Sequence, residues 1–196
     1  MLVVWLAVVA GGTVAMVRYS EAPGIARSAP DAWPTKSKLL RDRDRPTLVM
    51  FLHPRCPCSR ASVGELERLL ANVHGKLDVC VAFVVPPGAA DTWEETDLTR
   101  RIGSLQGVRH YTDKDGTEAH LFGAETSGQT MLYDSTGKLR FRGGITAGRG
   151  HAGDNPGRSA LEDLVLRGEA NSTGTPVFGC ALFDTKCAAE ETLCKP

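Results

Sequence analysis

Apolar residues occur along this chain in unbroken runs and in helically spaced sets. Leu2 to Val17 carries no charged side chain and is dominated by Leu, Val, Ala and Trp. Such a segment suits a signal-sequence core or a short membrane anchor rather than a packed domain. Thr47–Leu52 is an apolar run of strand length, and Leu77–Val85, closed by Pro86-Pro87, is a second. Runs of this kind fit strands buried on both faces of a sheet. Between them, Val63, Leu66, Leu69, Leu70 and Val73 recur three and four apart and stop before Gly75, which predicts a helix with its stop signal. Strand, helix and strand then form a right-handed parallel unit.

Further along, residues 91–106 are expected to be helical, opening at Asp91 and Thr92 as cap candidates. Gly107–Tyr111 is expected to form a short third strand, and Glu118–Phe122 a helical turn. Gln129–Tyr133 and Lys138–Arg142, joined by Asp134-Ser135-Thr136-Gly137, read as a hairpin. Ser159–Arg167 reads as a last helix ending at Gly168. The predicted organisation is therefore an anchor over 1–18, a linker over 19–45, a domain over 46–168 and a C-terminal extension over 169–196. The linker is marked by Pro23, Pro30, Pro34 and the alternating charges of Arg41 to Arg45; the extension holds Cys180, Cys187 and Cys194.

Composition bounds the rest. With 196 residues, 42% hydrophobic and 23% charged, the chain suffices for one compact domain plus an appendage. Lys plus Arg equals Asp plus Glu at 23 each and no long basic run occurs, so nucleic acid is not an expected partner. The glycine-dense loop over 143–157 is not followed by Gly-Lys-Ser/Thr, so no nucleotide is expected either. No small-x-small cleavage site follows the apolar segment, because Ala22 is succeeded by Pro23, which favours an uncleaved anchor. Arg18, the first positive charge, lies after the apolar run and by itself favours a cytoplasmic domain. Six cysteines favour an oxidising compartment. The expectation is a membrane-anchored domain on the extracytoplasmic side, in a bacterial periplasm or at the cell exterior.

The candidate chemistry is Cys56-Pro57-Cys58, at the junction of the first strand with the first helix. A thiol there faces unpaired backbone N–H groups and the positive end of the helix dipole, which favour thiolate. Cys56 is the predicted nucleophile. His53, Arg55 and Arg60 add positive potential, and Pro57 suits a first helical turn because it has no N–H to leave unpaired. Two routes stay open: a strained Cys56–Cys58 disulfide, or attack by Cys56 followed by resolution by Cys58 or by a tail cysteine such as Cys180. Arg149 and His151, in the glycine-dense loop, are pocket candidates, His151 to move a proton and Arg149 to hold an anion or carboxylate; a solvated surface loop is the alternative. Cys80, inside an apolar strand, reads as a packing residue. His110 and His120 read as strand-end and surface residues. Cys180–Cys187 or Cys187–Cys194 is a candidate tail disulfide, with Cys180 and Cys187 a possible second redox site and Phe178 and Phe183 docking the tail.

The order strand, helix, strand, helix, strand, hairpin, helix, with Cys-Pro-x at the first junction, resembles the thioredoxin superfamily over about residues 46–168. It is most similar to the branch of membrane-anchored TlpA- and ResA-like proteins and peroxiredoxins. Asp113-x-x-Gly116, Leu121-Phe122-Gly123-Ala124 and Met131-Leu132-Tyr133-Asp134-x-x-Gly137-Lys138 look like that branch's third-strand-to-hairpin stretch. Cys-Pro-Cys-Ser and Gly-Gly-Ile-Thr resemble bacterial proteins labelled RedB. The resemblance implies an α/β thioredoxin-like fold, with a central mixed sheet flanked by helices, and a thiol–disulfide oxidoreductase that acts on protein thiols or disulfides without a cofactor. Three residues depart from the pattern. Ser59 stands where the resolving cysteine is usual, Gly128 where the superfamily places its cis-proline, and Arg55 where Trp is frequent. Those departures keep two alternatives in view: a copper-binding metallochaperone using Cys56, Cys58 and His53, and a non-catalytic adaptor. The Pro-x-x-x-Thr/Ser-x-x-Cys pattern of a peroxidatic cysteine is absent.

Overall fold

The computed structural model describes residues 1–90 and 92–183. Its first element, α1 (Leu2–Glu21), buries none of its side chains. At 20 residues it is about 30 Å long, and with a mean hydropathy of 1.8 it is long and apolar enough to cross a membrane. It runs three residues beyond Arg18, where the apolar segment was expected to end.

Five strands make one mixed sheet in the order β3-β2-β1-β4-β5. They are β1 (Thr47–Leu52), β2 (Asp78–Val85), β3 (Val108–Lys114), β4 (Gln129–Tyr133) and β5 (Leu139–Gly143). β1 is central, parallel to β2 with Leu48 beside Val79 and antiparallel to β4 with Leu48 beside Leu132. Its alternation feeds both faces. Leu48, Met50 and Leu52 pack with Val63, Leu66, Leu69, Leu98, Ile102, Leu161 and Leu164 under α2 (Ser59–Val73), α3 (Asp97–Gly103) and α5 (Pro156–Arg167). Val49 and Phe51 pack on the other face with Phe122 of α4 (Thr117–Phe122), Tyr133 and Leu39.

Residues 22–45, expected as linker, strap this second face. Ala29 and Leu39 are buried. Trp33 meets Phe122 and Tyr133 edge-on, at centroid distances of 5.1 and 5.3 Å. Leu139 N–H donates to Asp31 O and Tyr133 Oη–H to Pro30 O. Proline and charge marked the stretch as irregular, which it is, but irregular backbone can still pack when its carbonyls and amides find partners.

The expected helix over 91–106 shortens to α3. It is capped not by Asp91 or Thr92 but by Thr96, whose side chain accepts from Thr99 N–H in a reciprocal capping box. β3 runs three residues past Tyr111, because its pairing with β2 continues to Lys114. α5 starts at Pro156 rather than Ser159, with Asn155 as its cap.

Glu65 of α2 is wholly buried and ion-paired. It meets Arg68 and, at 2.8 Å, Arg158 Nε, and it accepts from Gly153 N–H and Asn155 Nδ2 at 2.8 and 3.2 Å. This network fastens α2 to the start of α5 and fixes the end of the glycine-dense loop.

Candidate active site

β1 ends at Leu52, and His53-Pro54-Arg55 turns the chain into α2. Cys56 N–H donates to His53 O, and Ser59 N–H to Cys56 O, both at 3.1 Å. Cys58 is the N-cap of α2. Cys56 is buried at 4% exposure, Cys58 is half-buried and Pro57 exposed. Ser59, in the place usual for a resolving cysteine, is buried. Its hydroxyl donates to His53 O and shares a hydrogen bond of 2.8 Å with Ser127 Oγ, which in turn accepts from His53 N–H. The cysteine turn is thereby tied to the segment that precedes β4.

Gly128 in that segment has φ +92°, and a Cβ there would stand 2.8 Å from Ser62 Oγ of α2. Glycine is the residue that tolerates both constraints. Gly128 therefore brings the segment against the helix in the position where the superfamily has proline.

Residues 177–183 of the C-terminal extension lie across this site, in a short antiparallel pairing with residues 125–127. Ser127 N–H donates to Cys180 O at 2.8 Å and Leu182 N–H to Glu125 O at 2.9 Å, with Thr126 bridged to Ala181. On its other side Gly24 N–H donates to Val177 O at 2.8 Å. Val177 and Leu182 are the buried anchors of the tail. Phe178 is only half-buried, while Phe183 stacks on His120 at 4.1 Å between ring centroids. The pairing sets Cys180 Sγ 2.7 Å from Cys56 Sγ, and the sulfurs of Cys56, Cys58 and Cys180 all lie within 4.8 Å of one another. Cys187 and Cys194 lie outside the described residues. Cys80 is buried, and burial pushes its thiol up to about 11.

Hydrogen bonding from Cys180, then from Cys58, holds the Cys56 thiol far below its ordinary range and outweighs burial; a further hydrogen bond to Ser59 acts the same way. Cys180 keeps its proton, because donating to Cys56 and then to Cys58 raises it strongly. Hydrogen bonding with Cys180 lowers Cys58, but the Cys56 thiolate and burial outweigh that and leave it raised.

His53 is buried and meets Trp93 edge-on. Burial keeps its imidazole below the usual value, against the opposing effect of the Cys56 thiolate. Its Nδ1 accepts from Arg55 N–H at 3.2 Å. Arg55 lies 4.1 Å over the Trp93 ring. The aromatic ring beside Arg55 and His53 thus comes from the segment before α3, from a tryptophan that carried no motif of its own.

Arg149 adjoins the site. It donates to Gly179 O and, at 3.2 Å, to Ala22 O, and its guanidinium lies 5.1 Å from the Tyr19 ring centroid. Its charge also acts on Cys58. Two of its donors face backbone carbonyls, which gives it a structural part in the site. His151 does not join the cysteines as expected. It is exposed, and its Nδ1 is 2.9 Å from Arg149 O within its own loop, which curls back at Gly148.

A sheet ordered β3-β2-β1-β4-β5, with helices on both faces and cysteines where β1 meets α2, is the thioredoxin-like fold. Its cysteine pair at the first junction is Cys-Pro-Cys, and Cys180 adds a third thiol. The structure is similar to that of a hypothetical protein from Sinorhizobium meliloti, at 21% identity and a TM-score of 0.61 over 80% of this chain and 96% of that one. It is also similar to an uncharacterized conserved protein from Geobacillus kaustophilus, at 16% identity and a TM-score of 0.59 over 83% and 93%. A secreted Mycobacterium tuberculosis disulfide oxidoreductase homologous to E. coli DsbE aligns at 15% identity and a TM-score of 0.45 over 62% and 81%. None of these likenesses bears on more than the fold. No protein-family model and no curated protein matches the chain.

Proposed function

We propose that this chain is a thiol–disulfide oxidoreductase that acts on protein thiols or disulfides, held by α1 at the extracytoplasmic face of a membrane. The observation that carries the reading is Cys56, a thiol at the amino end of a 15-residue helix with two further thiols within 4.8 Å. The helix terminus and the neighbouring S–H donor both favour thiolate, the nucleophilic form. An adaptor that only bound proteins would need none of these. Mixing the reduced full chain with oxidised glutathione and following release of glutathione thiol tests it. Wild type is expected to exchange, and Cys56→Ser to fall to the uncatalysed background. Unchanged exchange by Cys56→Ser overturns the reading.

Copper(I) binding is the second reading, favoured by the same three sulfurs, since thiolates select soft ions. The ligand set differs from the one expected. His53 Nδ1 already accepts from Arg55 N–H, and Cys180 supplies the third donor. Titrating the reduced chain with copper(I) against a chelator would support this if Cys180→Ser loses binding and His53→Ala keeps it. Weak binding that Cys56→Ala leaves unaltered would remove it.

A further inference from the structure

We propose that Cys180 is the resolving cysteine of the Cys56 site, so that the oxidised form of the protein is a Cys56–Cys180 disulfide linking the tail strand to the turn before α2. This rests on the thiol–disulfide reading above and says which thiol completes it.

Cys56 and Cys58 share one tight turn, with only Pro57 between them and their sulfurs within 4.8 Å. Joining them would close a small ring with its torsion forced from the preferred value. Cys180 approaches from a separate strand. Its carbonyl accepts from Ser127 N–H, Leu182 N–H two residues on donates to Glu125 O, and the carbonyl before it accepts from Arg149. Gly179 lets the strand come close: a Cβ there would fall 1.9 Å from Ser127 O. The attacking sulfur is therefore positioned in advance, and the entropic cost of resolution is met by the fold.

Cys56 is 4% exposed with the tail in place, so residues 177–182 lift to admit a substrate and re-dock to expel it. Cys56 thiolate attacks one sulfur of the substrate disulfide, and the other substrate sulfur leaves as thiolate and takes the Cys180 proton. Cys180 then attacks Cys56 Sγ. The mixed disulfide breaks and the second substrate sulfur leaves, to be protonated by solvent. The substrate disulfide gains two electrons, and Cys56 and Cys180 lose two.

The test uses the reduced full chain with Cys187→Ser and Cys194→Ser, treated with oxidised glutathione, quenched with acid and mapped by mass spectrometry. On that background Cys58→Ser is expected to pass rapidly to a Cys56–Cys180 disulfide. Cys180→Ser is expected to accumulate glutathione on Cys56. Gly179→Ala, which keeps all three site thiols but displaces the strand, is expected to hold the mixed disulfide at least about tenfold longer, as suits a lost positional advantage. If Cys58→Ser traps glutathione on Cys56 while Cys180→Ser resolves it, this inference is overturned and the oxidoreductase reading stands. If Cys56 takes up glutathione in no variant, both fall.

Discussion

Glu65→Ala is expected to lower the unfolding free energy of the chain by about 3 kcal/mol, the lower end of the range seen when one partner of a buried ion pair is removed. Glu65 is fully buried. Its loss takes the buried partner from Arg158 Nε and the acceptor from the Gly153 amide, while Arg158 keeps Glu162 and Asp154 and Asn155 Nδ2 keeps Gly153 O. Arg68 is about half exposed, so its share of the loss is small. A total stability of about 5–15 kcal/mol is usual for a domain, so this one substitution removes a large part of it. Urea titration followed by circular dichroism measures the change. A loss under about 1 kcal/mol, the worth of a surface pair, would show that the network does not hold α2 to α5.

The second large effect is a pH profile. An ordinary thiol of pKa about 8.5 loses tenfold in thiolate with each pH unit below that value. With Cys56 held well below the usual range, its exchange rate with a neutral probe disulfide is expected to change less than about threefold between about pH 8 and pH 5, where an unperturbed thiol would fall by roughly three orders of magnitude. A tenfold decline per unit would contradict the arrangement of S–H donors around it. The same shift affects stability. The folded-state pKa is depressed, so the stabilisation is complete above the unfolded value of about 8.5 and is lost as pH falls toward the folded one. Stability of the reduced protein should therefore rise with pH across the neutral range, and Cys56→Ser should flatten that slope. His53, also depressed, adds a slope of the same sign below about pH 6.5.

The sheet was legible in the sequence because both its first strands are buried on two faces and therefore read as unbroken apolar runs, Thr47–Leu52 and Leu77–Val85. The amphipathic spacing from Val63 to Val73 placed α2, and the junction between strand and helix placed Cys56. What escaped detection depends on partners far along the chain. Trp33 is half-buried because Phe122 and Tyr133 stand opposite it, and no local pattern records that. Trp93 meets Arg55 and His53 from nearly forty residues away. Glu65 sits among the apolar positions of α2 as an ordinary helical acid until Arg158 is brought beside it. Cys180 was visible as a cysteine after Thr175-Pro176-Val177-Phe178-Gly179, but its approach to Cys56 follows from backbone pairing with residues 125–127, which carry no strand signal. His151 was misplaced because the glycine-dense loop curls on itself at Gly148 before it can reach the thiols.

Arg149 clasps the end of α1, through Tyr19 and Ala22, to the tail beside Cys180. A flexible linker in place of residues 19–45 would let a domain range roughly 30 Å from its anchor. The clasp and the strap leave no such tether. With α1 in a bilayer, the three thiols would stand at the lipid boundary, and the encounter with a substrate would become a lateral search. Cysteines displayed close to that surface, or carried by proteins themselves embedded in it, would be met far more often than those of freely diffusing chains.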